Sequence, residues 1–216
     1  MPDKQFPNPA KVLGTWAAVL VAAGIILAAH EYRLFGQAEA LRAASPWACL
    51  KTAERFEAQG NWQGALDMLG EAARRDPASP LPYERMGMLY YNQQKQWPKA
   101  LEAFRNAISR GSKDIDVRGK IMWCLIHLGE YRTATEFGKA CIEEGFNSPH
   151  FPRYIAEACR RAGEDAESIP YFEQALEGFP GDLHLMERLM QAYRKVGNAE
   201  RAEALQQQIE RREESN

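Results

Sequence analysis

Four histidines and four cysteines are the residues with the widest chemical reach in this 216-residue chain. His30, His127, His150 and His184 sit in no HExxH or other short ligand spacing, the arrangement that puts two imidazoles one helical turn apart on a metal. His150 and His184 are 34 residues apart; in stacked helix pairs that separation is one packing distance, ~10 Å, too far for a shared ion. Cys49, Cys124, Cys141 and Cys159 form no CxxC pair and read as buried free thiols. There is no phosphate-cradling glycine loop, no GxSxG and no nucleophile–base signature. Adjacent carboxylates such as Glu143 and Glu144 read as solvated helix ends. The chemistry expected is therefore not an enzyme's: no metal, no cofactor and no small-molecule substrate.

Composition narrows the alternatives. The chain is 45% hydrophobic and 26% charged, neither a disordered polar polymer nor a polytopic membrane protein. A net charge of −2 lacks the electrostatic footprint of a nucleic-acid binder. Four cysteines are too few for a disulfide scaffold, and free thiols suit a reducing compartment.

One segment departs from the average. Val12 to Ala29 holds eighteen consecutive residues without a charge, and as a helix it would reach about 27 Å, close to the ~30 Å of a hydrocarbon core. Leu34 and Phe35 extend it, and Trp16 and Tyr32 fall where amphipathic rings favour headgroups. The sequence thus predicts an N-terminal transmembrane helix over 12–35, after a tail over 1–11. A cleaved leader is the alternative, with Gly36-Gln37-Ala38 a weak cleavage candidate. Gly14, Ala18 and Ala22 recur every four residues and would let another membrane helix pack closely. Lys4 and Lys11 balance Arg33 and Arg42 across the span; the terminal amine and short tail favour an exported, periplasmic C-terminal part over a cytoplasmic one.

The remaining chain is organised by a repeat. Gly60, Gly129, Gly163 and Gly197 are spaced by 69, 34 and 34, and Ala65, Ala100, Ala134, Ser168 and Ala202 by 35, 34, 34 and 34. The glycine series skips one unit at Lys95, where the turn is a residue longer. Pro77 and Pro180 close units. A small residue at a helix crossing lets two helices approach closely, and such a pair cannot bury its apolar stripe alone, so neighbours stack.

On these residues the chain resembles the tetratricopeptide repeat (TPR) family over about residues 46–214. Unit one carries Phe56, Gly60, Trp62, Ala65, Leu69, Ala72 and Pro77; unit two Tyr83, Met86-Gly87, Tyr90, Ala100, Phe104 and Ala107. Unit three has Leu125, Gly129, Tyr131 and Ala134, unit four Gly163, Phe172, Ala175 and Pro180, and unit five Leu189, Tyr193, Gly197 and Ala202. The resemblance implies an all-α solenoid of five hairpins (46–79, 80–114, 115–148, 149–182 and 183–214), preceded by a linker or pre-repeat helix over 36–45. The polar end QQQIERREESN suits a solvent-facing cap. Two departures stand out. Gly138 replaces a bulky residue and leaves a gap beside Phe137. Pro170 would kink the second helix of unit four, and cap-like Ser168 favours a late start for that helix and an irregular fourth repeat.

The resemblance also implies a concave groove lined by the first helices. Carried onto this chain, its positions are Trp47, Leu50, Leu81, Met88, Tyr91, Trp123 and Ile126, with Glu54 and Glu84. Further along stand Arg153, Arg160, Arg161, Arg194 and Lys195, with His150 and His184. The groove reads apolar at one end and basic at the other, suiting a peptide or helix with a hydrophobic anchor and an acidic flank. Arg153 and Arg188 could form part of a carboxylate clamp, but Glu157 would repel a terminal carboxylate. The function expected is a membrane-anchored adaptor or assembly factor, similar in layout to single-span bacterial repeat proteins of cytochrome c maturation and translocon-associated chaperoning. The alternative is a structural accessory subunit of a larger membrane complex.

Overall fold

The computed structural model describes residues 45–214. Among them the chain forms ten helices in five hairpins. These are α1 (Pro46–Ala58) with α2 (Trp62–Arg75), α3 (Leu81–Asn92) with α4 (Trp97–Ser109), and α5 (Ile115–His127) with α6 (Tyr131–Glu143). The last two are α7 (His150–Ala162) with α8 (Asp165–Gly178), and α9 (Leu183–Lys195) with α10 (Ala199–Glu213). Several starts are fixed by a side chain that accepts from an orphan backbone N–H: Ser45 from Ala48, Asn61 from Gly64, Asp114 from Asp116, Asp182 from Leu185 and Asn198 from Arg201.

Each hairpin reverses through one left-handed residue. Gly60, Gly129, Gly163 and Gly197 have φ of 70°, 79°, 82° and 81°, a conformation in which a β-carbon crowds the next carbonyl. In the second hairpin Lys95 takes that place with φ 48°, the only non-glycine at positive φ among the described residues. The longer turn there does not avoid the strained conformation; it places a lysine in it.

Five residues later comes the helix crossing. Ala65, Ala100, Ala134 and Ser168 are fully buried and Ala202 is 2% exposed. Each second helix packs on the first helix of the next hairpin, and first helices also touch one another, α3 with α5 and α5 with α7. First helices therefore line the inner face. Ion pairs strap hairpin to hairpin: Arg85 reaches back to Glu54 (3.1 Å) and Glu57 (2.6 Å), Lys139 bonds Glu167 (2.7 Å), and Lys195 bonds Asp165 (3.0 Å).

Three expectations are corrected. The transmembrane helix over 12–35, with its Gly14, Ala18 and Ala22 face, lies outside the described residues. Among the described residues no helix is long and apolar enough to cross a membrane. They run to 12–15 residues, some 18–22 Å against a hydrocarbon core of ~30 Å, and each carries charged side chains. Among the described residues the architecture is a TPR-like solenoid with no spanning helix, and they give no support to the single-pass membrane location or to a membrane partner reached through such a helix.

The gap expected at Gly138 is filled: a β-carbon there would lie 2.5 Å from Met122 Cε and 2.8 Å from Ile155 Cγ1. The late start expected for α8 also fails. The helix begins at Asp165 and runs through Pro170, while the buried Ser168 hydroxyl donates to the Asp165 carbonyl at 2.7 Å.

Candidate partner-binding groove

The inner face carries two hollows, each built on the first helices of three successive hairpins. The first, about 390 Å³, is walled by Met88 and Asn92 of α3, by Ile115, Asp116, Gly119 and Lys120 of α5, and by His150, Phe151 and Tyr154 of α7. The second, about 110 Å³, is walled by Trp123 of α5, by Arg153, Glu157 and Arg161 of α7, and by His184, Leu185 and Arg188 of α9. One hollow is centred on α5 and the other on α7, so they are offset by one hairpin.

Of the residues aimed at the groove by family register, the hollows bring together Met88 and His150 in the first and Trp123, Arg153, Arg161 and His184 in the second. Trp47 (64% exposed) and Leu81 (44%) stand in solvent nearer the chain's start. Leu50 is half-buried against the first hairpin's core. Ile126, 1% exposed, belongs to the interior with Cys124 and Leu125. Arg160 turns to Glu157 (2.8 Å) and Arg194 to Gln206 of α10.

Aromatic rings connect the two hollows. Tyr91 meets Trp97 edge-on at 5.2 Å, and Trp97 stacks on His127 at 4.5 Å. His127 meets Trp123 at 5.1 Å, Trp123 meets Tyr154 at 5.7 Å, and Tyr154 leads to His150 at 6.2 Å. Tyr91 lies near the end of α3, Trp123 late in α5, and His150 at the start of α7, so the strip crosses the inner face diagonally. Such pairs contribute beyond the area they bury. Lys120 Nζ sits over the Tyr91 ring at 4.5 Å.

Charge separates the hollows. In the first, Lys120 and Asp116 oppose each other. In the second, three arginines face one carboxylate. Burial works to raise the Glu157 carboxyl, but hydrogen bonds from Arg160 and Arg161 outweigh it and hold the group below its ordinary range. Arg153 pairs with Asp182 at 3.1 Å. Arg188 bonds only His184 and Gln191 among the described residues and has no carboxylate. Burial, followed by the charges of Arg161 and Lys95, lowers the His127 imidazole's affinity for a proton.

Family register passed over Gly119, Lys120 and Tyr154. Lys51, Arg85, Lys120, Tyr154 and Arg188 recur at spacings of 34, 35, 34 and 34, a column one place beyond a canvassed position and basic in four of five units. That periodic charge is the signal that could have found Lys120 and Tyr154. Gly119 offered no side chain to notice, yet its bare backbone floors the first hollow: a β-carbon there would lie 3.2 Å from Tyr154 Cε2.

The four cysteines are buried and free. Burial pushes the Cys124 thiol up to about 12 and raises Cys141 and Cys159 as well, which keeps them protonated and unreactive. Cys159, Glu164 and Glu167 lie close together, but Glu167 is paired with Lys139 and Glu164 with Arg132.

Residues 83–110 match the tetratricopeptide repeat family model. No curated protein is significantly similar to the sequence. Among solved structures, MamA (residue 41 to its end) from Desulfovibrio magneticus RS-1 superposes with a TM-score of 0.70 at 16% identity, covering 79% of this chain and 96% of that one. A second MamA structure gives 0.72 at 14% identity, covering 78% and 92%. YrrB, described as a TPR protein with an unusual peptide-binding site, gives 0.69 at 17% identity, covering 81% and 90%. At such identities the likeness is one of fold. The shared fold is a TPR-like solenoid of stacked helical hairpins.

Proposed function

We propose that this chain is a structural interaction scaffold, a subunit that holds a protein partner along the inner face of its solenoid. The supporting observation is the diagonal strip of rings from Tyr91 to His150, flanked by hollows in which Lys120 and Arg188 make no ion pair among the described residues. A half-exposed aromatic track beside uncommitted cations suits a protein chain with apolar and acidic groups. YrrB, of similar fold, is described by its peptide-binding site, which supports the same use of the fold here. The anchored-adaptor reading is not carried further, because no helix among the described residues is long and apolar enough to cross a membrane. A scaffold subunit needs only the solenoid.

The test is co-purification from the native source at fixed stoichiometry. Wild type is compared with the double charge reversal Lys120→Glu/Arg188→Glu, and with Arg105→Glu/Arg132→Glu on second helices as control. The scaffold reading expects the partner to be lost from the first variant and kept by the control. Equal recovery from both would overturn it.

A further inference from the structure

The two hollows differ in size and in charge, and their offset sets a ruler for what lies across them. The larger is floored by Gly119, with an apolar side from Met88, Ile115 and Tyr154 and a polar rim from Asn92, Ser148 and His150, and it holds one cation, Lys120, and one anion, Asp116. A bulky aromatic or aliphatic side chain satisfies that apolar side without stranding a charge. The smaller has room for on the order of four waters. It gathers Arg153, Arg161 and Arg188 around one carboxylate that already serves Arg160 and Arg161. A carboxylate of similar size gives Arg188 the charged partner it lacks.

Stacked helices sit ~8–10 Å apart, and an extended chain rises ~3.3 Å per residue. The hollows are also displaced along α5 and α7 by about five residues, from Lys120 and Tyr154 toward Trp123 and Arg161, or ~8 Å. About four residues of extended peptide therefore span the ~13 Å between them, and side chains four apart point to the same face. The paired rings of Trp123 and Tyr154, 5.7 Å apart, form the sill between the hollows that the intervening residues cross. A helical ligand rises only ~1.5 Å per residue and would need about nine residues, with a body ~10 Å wide held away from the small hollow.

We infer that the partner segment is an extended peptide carrying a bulky apolar side chain and, four residues away, an aspartate or glutamate, seated respectively in the Gly119 hollow and the Arg188 hollow. This rests on the groove reading above and adds residue chemistry and spacing to it.

The test is a selection from displayed eight-residue random peptides with the full chain as bait, followed by fluorescence-polarisation titration of the selected peptides. The expected result is enrichment of an apolar–acidic pair at a separation of four over separations of one or seven, with about fivefold weaker binding when the acid is replaced by its amide. Arg188→Glu should erase the acidic preference and keep the apolar one. Asn92→Trp, an exposed position at the first hollow's wall, should do the reverse; circular dichroism verifies that both variants are folded. Selected peptides with no separation preference, or with an acid indifferent to Arg188, would overturn this inference and leave the groove reading standing. No selection of any peptide would overturn both.

Discussion

Phe104 occupies the space that a side chain at position 87 would need: a β-carbon on Gly87 would lie 2.4 Å from Phe104 Cδ1. The phenylalanine is fully buried, with Tyr91 packed against it at 6.4 Å. The second hairpin therefore closes glycine against ring, and the same ring supports the start of the aromatic strip. Gly87→Ala should overpack this crossing and cost about 1–3 kcal/mol, read as a lower midpoint in urea unfolding. Adding Phe104→Leu should recover part of that loss. An unchanged midpoint for the single variant would show that the crossing is looser than described.

Lys95 presents the opposite case. It holds the left-handed conformation that glycines hold in the other four hairpins. Relief of that strain, ~1–2 kcal/mol, exceeds the entropic cost of a glycine, ~0.5–1 kcal/mol. Lys95→Gly should therefore stabilise the protein by roughly 0.5–1 kcal/mol. Gly129→Ala should destabilise it by about 1 kcal/mol. The space around Gly129 is open, so that loss would come from the backbone alone. Thermal melts of the two variants should move in opposite directions.

Glu157 ties acid stability to the groove. Burial opposes its charge, yet the hydrogen bonds of Arg160 and Arg161 lower its proton affinity below the ordinary 4.5. The native carboxylate takes up a proton at lower pH than the unfolded one. Its contribution is accordingly complete above that ordinary value and is lost as pH falls through the depressed native one. Glu157→Gln should be less stable than wild type at neutral pH, and its stability should fall less steeply below pH 4.5. Parallel acid limbs for the two proteins would contradict the assignment.

The period of 34 residues was enough to find the hairpins, because the two most constrained points of each unit are residue types visible in sequence: a left-handed turn and a small residue at the crossing. Ala100 told as much as Gly129. What register could not tell is how far a side chain travels after its helix is placed. Ile126 shares its nominal position with Tyr91 and Arg160 but turns into the core, while Gly119, silent as a letter, opens the largest hollow of the inner face. Gly138 misled because its missing volume is supplied by Met122 and Ile155 from other helices. Pro170 misled because it and Ala166, whose carbonyl loses its donor to the proline, both stand on the exposed side of α8, where the helix continues. The apolar run over 12–35 argued for an anchor from length and hydropathy alone, and the described helices supply none.

The central claim is that the inner face, and not the outer, holds the partner. Photo-crosslinking from single introduced residues tests it most directly: Leu81, Asn92 and Arg188 on first helices, against Lys99, Arg105 and Arg132 on second helices. The account predicts partner crosslinks from the first set, reduced by a competing apolar–acidic peptide, and none from the second. Crosslinks confined to the second set would contradict it.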